Sequence, residues 1–384
     1  MKNNNWQEKK LGNIATFING KAFKPSDWSD AGLPIIRIQN LTNSIDDIHY
    51  YNGDIEEKYR ITTGDILISW SATIGVFEWL NGDAVLNQHV FKVVFDKEPI
   101  DKTFFKHLIK QKIDEMLKNV HGSTMKHITK GDFDNIDVSL PSLDEQKKIA
   151  KILDKADEIR AKKKLANDKL DEFLKSTFIS IFGNPEINDK HWGTGTIRDI
   201  VKEAKYGTSS KAGSEGTYPI LRMGNLTYEG AITLDDLKYI DLKDNELEKY
   251  LVKQGDILFN RTNSKELVGK TAVYRYEQPM AFAGYLVRVR TNEKANTEFL
   301  SAFMNSDYMK KILRLKCKNI VGMANINAQE LQDFSIYIPP MELQSKFAQI
   351  VEHVEAQKQK NELVIEQMNN LFNSLSQRAF KGEI

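Results

Sequence analysis

The side chains that could hold a metal, activate a nucleophile or cradle a phosphate are few in this sequence. Its seven histidines, His49, His89, His107, His121, His127, His191 and His353, show no metal-ligand spacing with cysteines or carboxylates. Separation along the chain assembles no Ser-His-Asp arrangement either. The segment Ser264-Lys-Glu-Leu-Val-Gly269-Lys270-Thr271 comes within one residue of a phosphate-binding loop, in which backbone amides surround the anion and the lysine reaches its outer oxygens. Ser264 stands where the first glycine must make the turn. The run also falls between predicted strands, with no helix N-terminus following to face an anion. Neither nucleotide, metal nor catalytic chemistry is expected of this chain.

The elements around these residues are those of a globular, multi-domain protein. A length of 384 residues predicts two or three domains. A hydrophobic content of 41% with 28% charged residues excludes disordered and collagen-like chains. Lysine plus arginine total 54 against 53 acids, so a formal charge of +1 names no partner. The single cysteine, Cys317, permits no intrachain disulfide and points to a reducing compartment. The polar start Met1–Lys10 lacks the apolar core of a signal peptide, and no run approaches the roughly 18 apolar residues of a membrane span. A cytoplasmic protein with no membrane contact is expected.

The most informative feature is an internal repeat. Trp6 and Trp192 open two copies, and Leu11-Gly-Asn-Ile14 lines up with Ile197-Arg-Asp-Ile200. Pro34-Ile-Ile-Arg-Ile-Gln-Asn-Leu-Thr42 meets Pro219-Ile-Leu-Arg-Met-Gly-Asn-Leu-Thr227 with six of nine positions identical. Gly64-Asp-Ile-Leu67 recurs as Gly255-Asp-Ile-Leu258, and Pro141, Gln146 and Phe182 recur as Pro339, Gln344 and Phe380 at a constant offset of 198. Length changes therefore fall in the first part of each copy, which marks a loop-bearing domain followed by a spacer of fixed length. Short apolar runs such as Ile66-Leu-Ile68 and Val90–Val94 alternate with turn signals and with helical stretches, Phe104 to Val120 and Phe299 to Leu315, so each globular part reads as α+β.

After Pro141 and after Pro339 the pattern becomes that of a long amphipathic helix. Ile152, Ala156, Ile159, Ala166, Leu170 and Phe173 alternate three and four apart, broken at Lys163. The second copy gives Ile350, Val354, Gln357, Asn361, Val364, Met368, Leu371 and Leu375. Two such helices are expected to pack against each other antiparallel, each about 40 residues and ~60 Å long, holding two domains apart. Lys162-Lys-Lys164 is flanked by acids and reads as a solvated face. Asn184-Pro-Glu-Ile187 begins like the tetrapeptide with which amino-methyltransferases hold an extruded base, but it lacks the second proline and the stacking aromatic. It reads as the turn that ends the first long helix, and the chain is not expected to methylate by itself.

Taken in order and in duplicate, these motifs resemble the specificity subunits of type I restriction-modification systems. The opening Trp6-x4-Leu11-Gly12, the Pro-Ile-Ile-Arg-x-x-Asn-Leu stretches and the paired Gly-Asp-Ile-Leu carry the resemblance. So do Leu140-Pro-Ser-Leu-Asp-Glu-Gln146 and Ile338-Pro-Pro-Met-Glu-Leu-Gln344 before the long helices, and the ending Arg378-Ala-Phe-Lys-Gly-Glu383. The resemblance implies two α+β target recognition domains, 1–141 and 185–339, separated by two long antiparallel coiled-coil helices, 142–184 and 340–384, in a pseudo-two-fold repeat. It implies that each domain reads one half of a bipartite double-stranded DNA site. The helices would dock two modification subunits that carry the S-adenosylmethionine chemistry. Motor-nuclease restriction subunits using ATP with Mg would join the larger complex, and this chain would hold no cofactor and do no catalysis. The globular parts carry 16 basic and 19 acidic residues over 6–141 and 22 and 18 over 190–339, so DNA affinity must come from local patches or from partners. If both domains enter major grooves on one face of the duplex, the half-site centres lie about 10–10.5 base pairs apart. The competing reading is a pseudo-symmetric scaffold that bridges two partners and never reads DNA. A third is a specificity module fused to a methylase-nuclease system of another type, with the same recognition chemistry and other partners.

Two copies on one scaffold share what builds the fold and differ where they read different bases. Arg37/Arg222, Asn40/Asn225 and Thr42/Thr227 are shared, and so are expected to be structural or to contact the phosphate backbone, with Gln39 beside them. The chemistry changes directly after Gly-Asp-Ile-Leu, at Ser69/Asn260, Trp70/Arg261, Ser71/Thr262 and Thr73/Ser264, with Asn263 between. Arginine addresses guanine and asparagine adenine with two hydrogen bonds each, and Arg261 is the foremost candidate. A second divergent set is Asn87, Gln88 and His89 against Ala283, Gly284 and Tyr285. A third comprises Lys126, His127 and Asn325, together with Lys205, Tyr206, Ser209 and Lys211 early in the second domain.

Overall fold

In a computed structural model, residues 6–42, 44, 47–71, 73–118, 129–320 and 323–380 are described. The chain forms two compact units, one of residues 1–164 with 362–384 and the other of residues 165–361, so each takes in half of each long helix. Among the described residues no helix is long and apolar enough to cross a membrane.

The first unit holds two four-stranded sheets. One is antiparallel in the order Thr16–Asn19, Val90–Val94, Ile66–Ser69, Gly75–Glu78. The other is mixed, in the order Tyr50–Tyr51, Leu33–Ile36, Ala84–Leu86, Arg60–Ile61, with a parallel central pair. The second unit repeats both orders, as Val201–Tyr206, Leu286–Thr291, Ile257–Asn260, Thr271–Val273 and as Lys238–Ile240, Tyr218–Leu221, Met280–Phe282, Leu251–Val252. Strand side chains alternate between faces. Ile66 and Ile68 therefore enter one apolar cluster and Leu67 another, and Ile257 and Phe259 are divided from Leu258 in the same way. A strand covered on both faces needs the unbroken apolar run seen after each Gly-Asp. The Gly-Asp itself is a turn: the carboxylates of Asp65 and Asp256 accept the backbone N–H of Thr62 at 2.8 Å and of Lys253 at 2.9 Å.

The sequence reading of one helix from Phe299 to Leu315 is corrected to two, Thr297–Met304 and Asp307–Lys316. The break is chemical. Ser306 accepts a hydrogen bond from the Met309 N–H as the N-cap of the second helix, and the Asn305 amide donates to the Ser301 and Thr271 carbonyls.

The long helices span Leu143–Phe182 and Met341–Phe380. Ser142 and Glu145 form a capping box at the first, which ends at Gly183 with φ +81°, where a side chain would be strained. Asn184–Ile187 is the turn that follows, with the Asn184 side chain accepting the Glu186 N–H at 2.9 Å. The helices run antiparallel. In the second unit Phe347 packs on Phe178 and Phe182, Lys358 donates to Asp171 at 2.7 Å and Asn361 to Asn167 at 2.7 Å; in the first, Arg160 donates to Asn369 at 2.8 Å and lies over the Phe372 ring. The seam keeps the sequence reading at Ala156, Val354 and Asn361 and shifts by one position at Leu153 and Phe372. Leu153, Ala156 and Phe372 are buried, whereas Ile152 (47% exposed), Phe173 (50%) and Leu371 (44%) face outward. Val354 is buried in the seam, while Ile159, Leu170, Ile350, Val364, Met368 and Leu375 are half-buried.

The shared glutamines tie each long helix to its domain. Gln146, buried, accepts the Asp101 N–H at 2.9 Å and donates to the Pro141 carbonyl; Gln344, buried, accepts the Asn296 N–H at 2.8 Å and donates to the Pro339 and Lys294 carbonyls. Replacing Gln344 with alanine strands a buried N–H and two carbonyls. The expected loss is about 2 kcal/mol. Chemical denaturation of the full chain checks it, Gln344→Glu being expected to lose at least as much, because it turns a charged oxygen toward the same two carbonyls.

Candidate nucleic-acid interface

Past the buried strand Ile257–Asn260 the chain emerges into a cluster that gathers three of the predicted groups. The Arg261 guanidinium lies 4.9 Å from the centre of the Tyr206 ring, 3.5 Å from the Gly284 carbonyl and 3.4 Å from the Asn325 side-chain oxygen. Those polar contacts are long, so the arginine fork is aimed but lightly engaged. Its backbone is pinned, donating to the Tyr285 carbonyl at 3.0 Å while its own carbonyl accepts the Ile326 N–H at 2.9 Å. Asn325 donates to the Thr262 hydroxyl at 2.6 Å and sits in a three-stranded sheet of Thr262–Asn263, Met323–Asn325 and Lys318–Ile320. The Tyr206 hydroxyl accepts the Ala328 N–H at 2.9 Å. Tyr285 is exposed at 51%; Lys205, Ser209 and Lys211 are also exposed, Lys205 paired with Glu203 at 2.8 Å. Asn263 and Ser264 are half-buried, the Asn263 side chain accepting the Ser264 N–H.

The first unit builds the same place from aromatic groups. The Trp70 N–H meets the His89 carbonyl, the counterpart of Arg261 and Tyr285, and the Trp70 ring stacks on Phe91 at 5.8 Å and lies 5.4 Å from His89. Gln88 contacts the His89 ring at 3.3 Å. His89, Thr73 and Gln39 are exposed and Ser71 is half-buried. Lys126 and His127 lie outside the described residues.

Several predicted readers are corrected by burial. Ser69 and Asn260 are fully enclosed, the Ser69 hydroxyl donating to the Thr73 carbonyl at 2.6 Å; Asn87 and Thr262 are buried as well. None of these four can present a side chain to a base edge. The shared residues brace a loop. The Arg37 N–H donates to the Asn40 side-chain oxygen at 3.0 Å, and both side chains donate to the Asp47 carbonyl; the Arg222 N–H donates to Asn225 at 2.9 Å, whose amide donates to the Thr233 and Asp235 carbonyls. Arg222 also pairs with Asp236, whose carboxyl it holds below the usual range. The near-phosphate loop is likewise occupied: Thr271–Val273 follows as a strand, and the Lys270 ammonium, buried and lowered in pKa by that burial, donates to the Met223 carbonyl at 2.8 Å.

The family model for the type I restriction modification DNA specificity domain matches residues 3–169 and 189–367. The chain belongs to this family. Each of its two matches takes in one pair of the duplicated sheets and runs on into the long helix that follows. The chain is similar to the EcoKI specificity subunit of Escherichia coli K12, 24% identical over 420 residues that cover 99% of this chain and 89% of that one. It is also similar to the StySPI specificity subunit of Salmonella potsdam, 24% identical over 417 residues with the same coverage. Among solved structures, the type I restriction-modification S subunit from M. genitalium shares the fold with a TM-score of 0.57 at 14% identity, covering 99% of this chain and 97% of that one. A chain from a study of type I assembly and conformational transition matches with a TM-score of 0.54 at 16% identity, covering both chains fully. This specificity-subunit fold is thus α+β, duplicated, with two long helices.

Sequence reasoning missed the first-unit counterpart of the Lys205–Lys211 group. The repeat held its signal, because Gly20 and Gly207 follow equivalent strands.

Proposed function

We propose that this chain is a non-catalytic specificity subunit that reads an asymmetric, interrupted duplex, one recognition domain per half-site, and docks two methyltransferase subunits along its helices. The observation that carries the reading is the contrast at one structural position. Two units with the same strand order present Arg261, Tyr206, Tyr285 and Asn325 in one and Trp70, Gln88 and His89 in the other. A shared scaffold with different donors and aromatics at its strand ends suits two domains that read different base pairs. Docking is supported by apolar residues left outside the seam at repeat-equivalent positions, Leu165 with Leu363 (54% and 58% exposed) and Phe173 with Leu371. S-adenosylmethionine would enter with the modification subunits, and ATP with Mg with the restriction subunits.

The test is methylome sequencing of cells that make this chain with its modification subunits. A two-part methylated motif is expected. A complex that forms but leaves no methylation, when the same modification subunits are active with another specificity subunit, would favour a protein scaffold that does not read DNA.

A further inference from the structure

The loop after the first sheet strand crosses the interface in the same way in both units. Gly20 and Lys21 donate their N–H groups to the Val90 and Leu86 carbonyls at 3.1 and 2.8 Å; Gly207 and Thr208 donate to Leu286 and Phe282 at 3.2 and 2.9 Å. A Cβ at Gly20 would lie 2.2 Å from the Leu86 and Asn87 carbonyl oxygens, and one at Gly207 would lie 2.2 Å from that of Phe282. Only glycine permits this crossing. The next residue is thereby bridged to the divergent segment, Lys21 to Asn87 and Thr208 to Ala283.

At this fixed position the two units differ in chemistry. Thr208 is buried, and its hydroxyl accepts the Ser210 N–H. Lys21 instead holds its ammonium 2.9 Å from the Tyr51 hydroxyl and 4.5 Å from the centre of the Tyr51 ring, with Phe23 at 5.6 Å. Tyr51 is itself fixed, donating to the Asp54 carbonyl and packing edge-on against Phe23. Among the described residues Lys21 makes no ion pair within 4.0 Å, whereas Lys205 in the second unit is paired with Glu203. The Tyr51 hydrogen bond keeps the ammonium above the ordinary lysine range, so the charge is present at neutral pH.

We propose that Lys21 is a phosphate anchor of the first domain, a pre-positioned cation that grips the DNA backbone beside the half-site which Gln88 and His89 face. This rests on the DNA-reading function proposed above. An ammonium is a point charge without the planar fork that reads a base edge in two bonds, and it binds phosphate without regard to sequence. An aromatic floor positions that charge with no carboxylate in ion-pair contact, the nearest electrostatic influence from an acid being that of Asp27.

The experiment is duplex binding by the complete complex with its modification subunits, measured across salt concentrations. For Lys21→Gln the plot of log affinity against log salt should become shallower by about 0.9, the value of one phosphate contact. Affinity should fall by the same factor on target and on scrambled duplex, and the methylated motif should not change. Lys21→Arg should restore the slope. An unchanged slope and affinity in Lys21→Gln overturns the anchor, and so does loss of discrimination at a single base pair. Failure of the unsubstituted complex to show salt-dependent duplex binding would instead overturn the DNA-reading function itself. Co-purification with the modification subunits and an intact second half-site confirm that the variant is folded.

Discussion

Replacing Arg288 with methionine is expected to cost the second unit about 3–5 kcal/mol, the loss typical of breaking a buried ion pair from one side. Arg288 is fully buried. It donates to the carbonyls of Glu248 and Leu251 and to the Glu203 carboxylate at 2.6 Å, and its plane lies 5.6 Å from the Phe282 ring centre. Methionine fills the space but strands both carbonyls and leaves Glu203 to Arg290, at 3.2 Å, and Lys205, at 2.8 Å. Two features separate this from generic charge loss. Arg290 keeps Asp256 satisfied at 2.7 Å in the variant, so the loss belongs to Arg288 alone. The repeat also supplies a control: Lys92 occupies the matching strand position in the first unit, pairs with Asp65 at 3.3 Å, and is 20% exposed. Water can replace its contacts, so Lys92→Met should cost about 1 kcal/mol or less. Thermal unfolding of the full chain measures both. At about 2–4 °C per kcal/mol, Arg288→Met should lower the transition of its unit by roughly 10 °C. Equal shifts for the two variants would refute the burial argument.

That comparison shows what the sequence could and could not disclose. The duplicated plan was legible because shared residues are spent internally. Asp65 and Asp256 close the same turn, and Asn40 and Asn225 brace the same loop. The presence of two long helices was legible from their period, and their phase in part: Ala156, Val354 and Asn361 lie where the period puts them, whereas Ile152, Phe173 and Leu371 do not. At Ile152-Leu153 and Leu371-Phe372 two large apolar residues adjoin, and either could have faced the partner helix. Between them the seam is polar, with Asn167 buried against Asn361 and Lys358 against Asp171, so counting apolar residues drifts to Phe173 on the outer face. Burial at the strand ends was also hidden. Alternation sends Ser69 and Asn260 to the face opposite Ile68 and Phe259, and only the presence of the second sheet makes that face interior as well. Residue chemistry was legible at Arg261, whereas the aromatic and amide partners that aim it come from sequence distances of 55 and 64 residues.

Arg261→Ala should therefore change what is read without changing whether the chain folds. The side chain is half-buried and makes only long polar contacts, so its removal strands little: the Asn325 amide still donates to the Thr262 hydroxyl, and the backbone bonds of residue 261 to Tyr285 and Ile326 do not involve the side chain. If the guanidinium makes a bidentate contact to a base, about 1–3 kcal/mol of discrimination disappears, roughly 5- to 150-fold. That loss should fall at one or two adjacent base pairs in the half-site of the second domain. The other half-site should keep its full stringency. A phosphate contact would give a different signature, an affinity loss uniform across sequences with a shallower salt dependence. Arg261→Lys separates charge from geometry, since a lysine over Tyr206 keeps the cation and loses the fork. It should recover affinity at low salt but not stringency. Methylome sequencing of cells carrying each variant, with competition binding on duplexes altered one base pair at a time, measures both quantities. Equal loss at both half-sites would refute base reading by Arg261 and indicate a general defect in the chain.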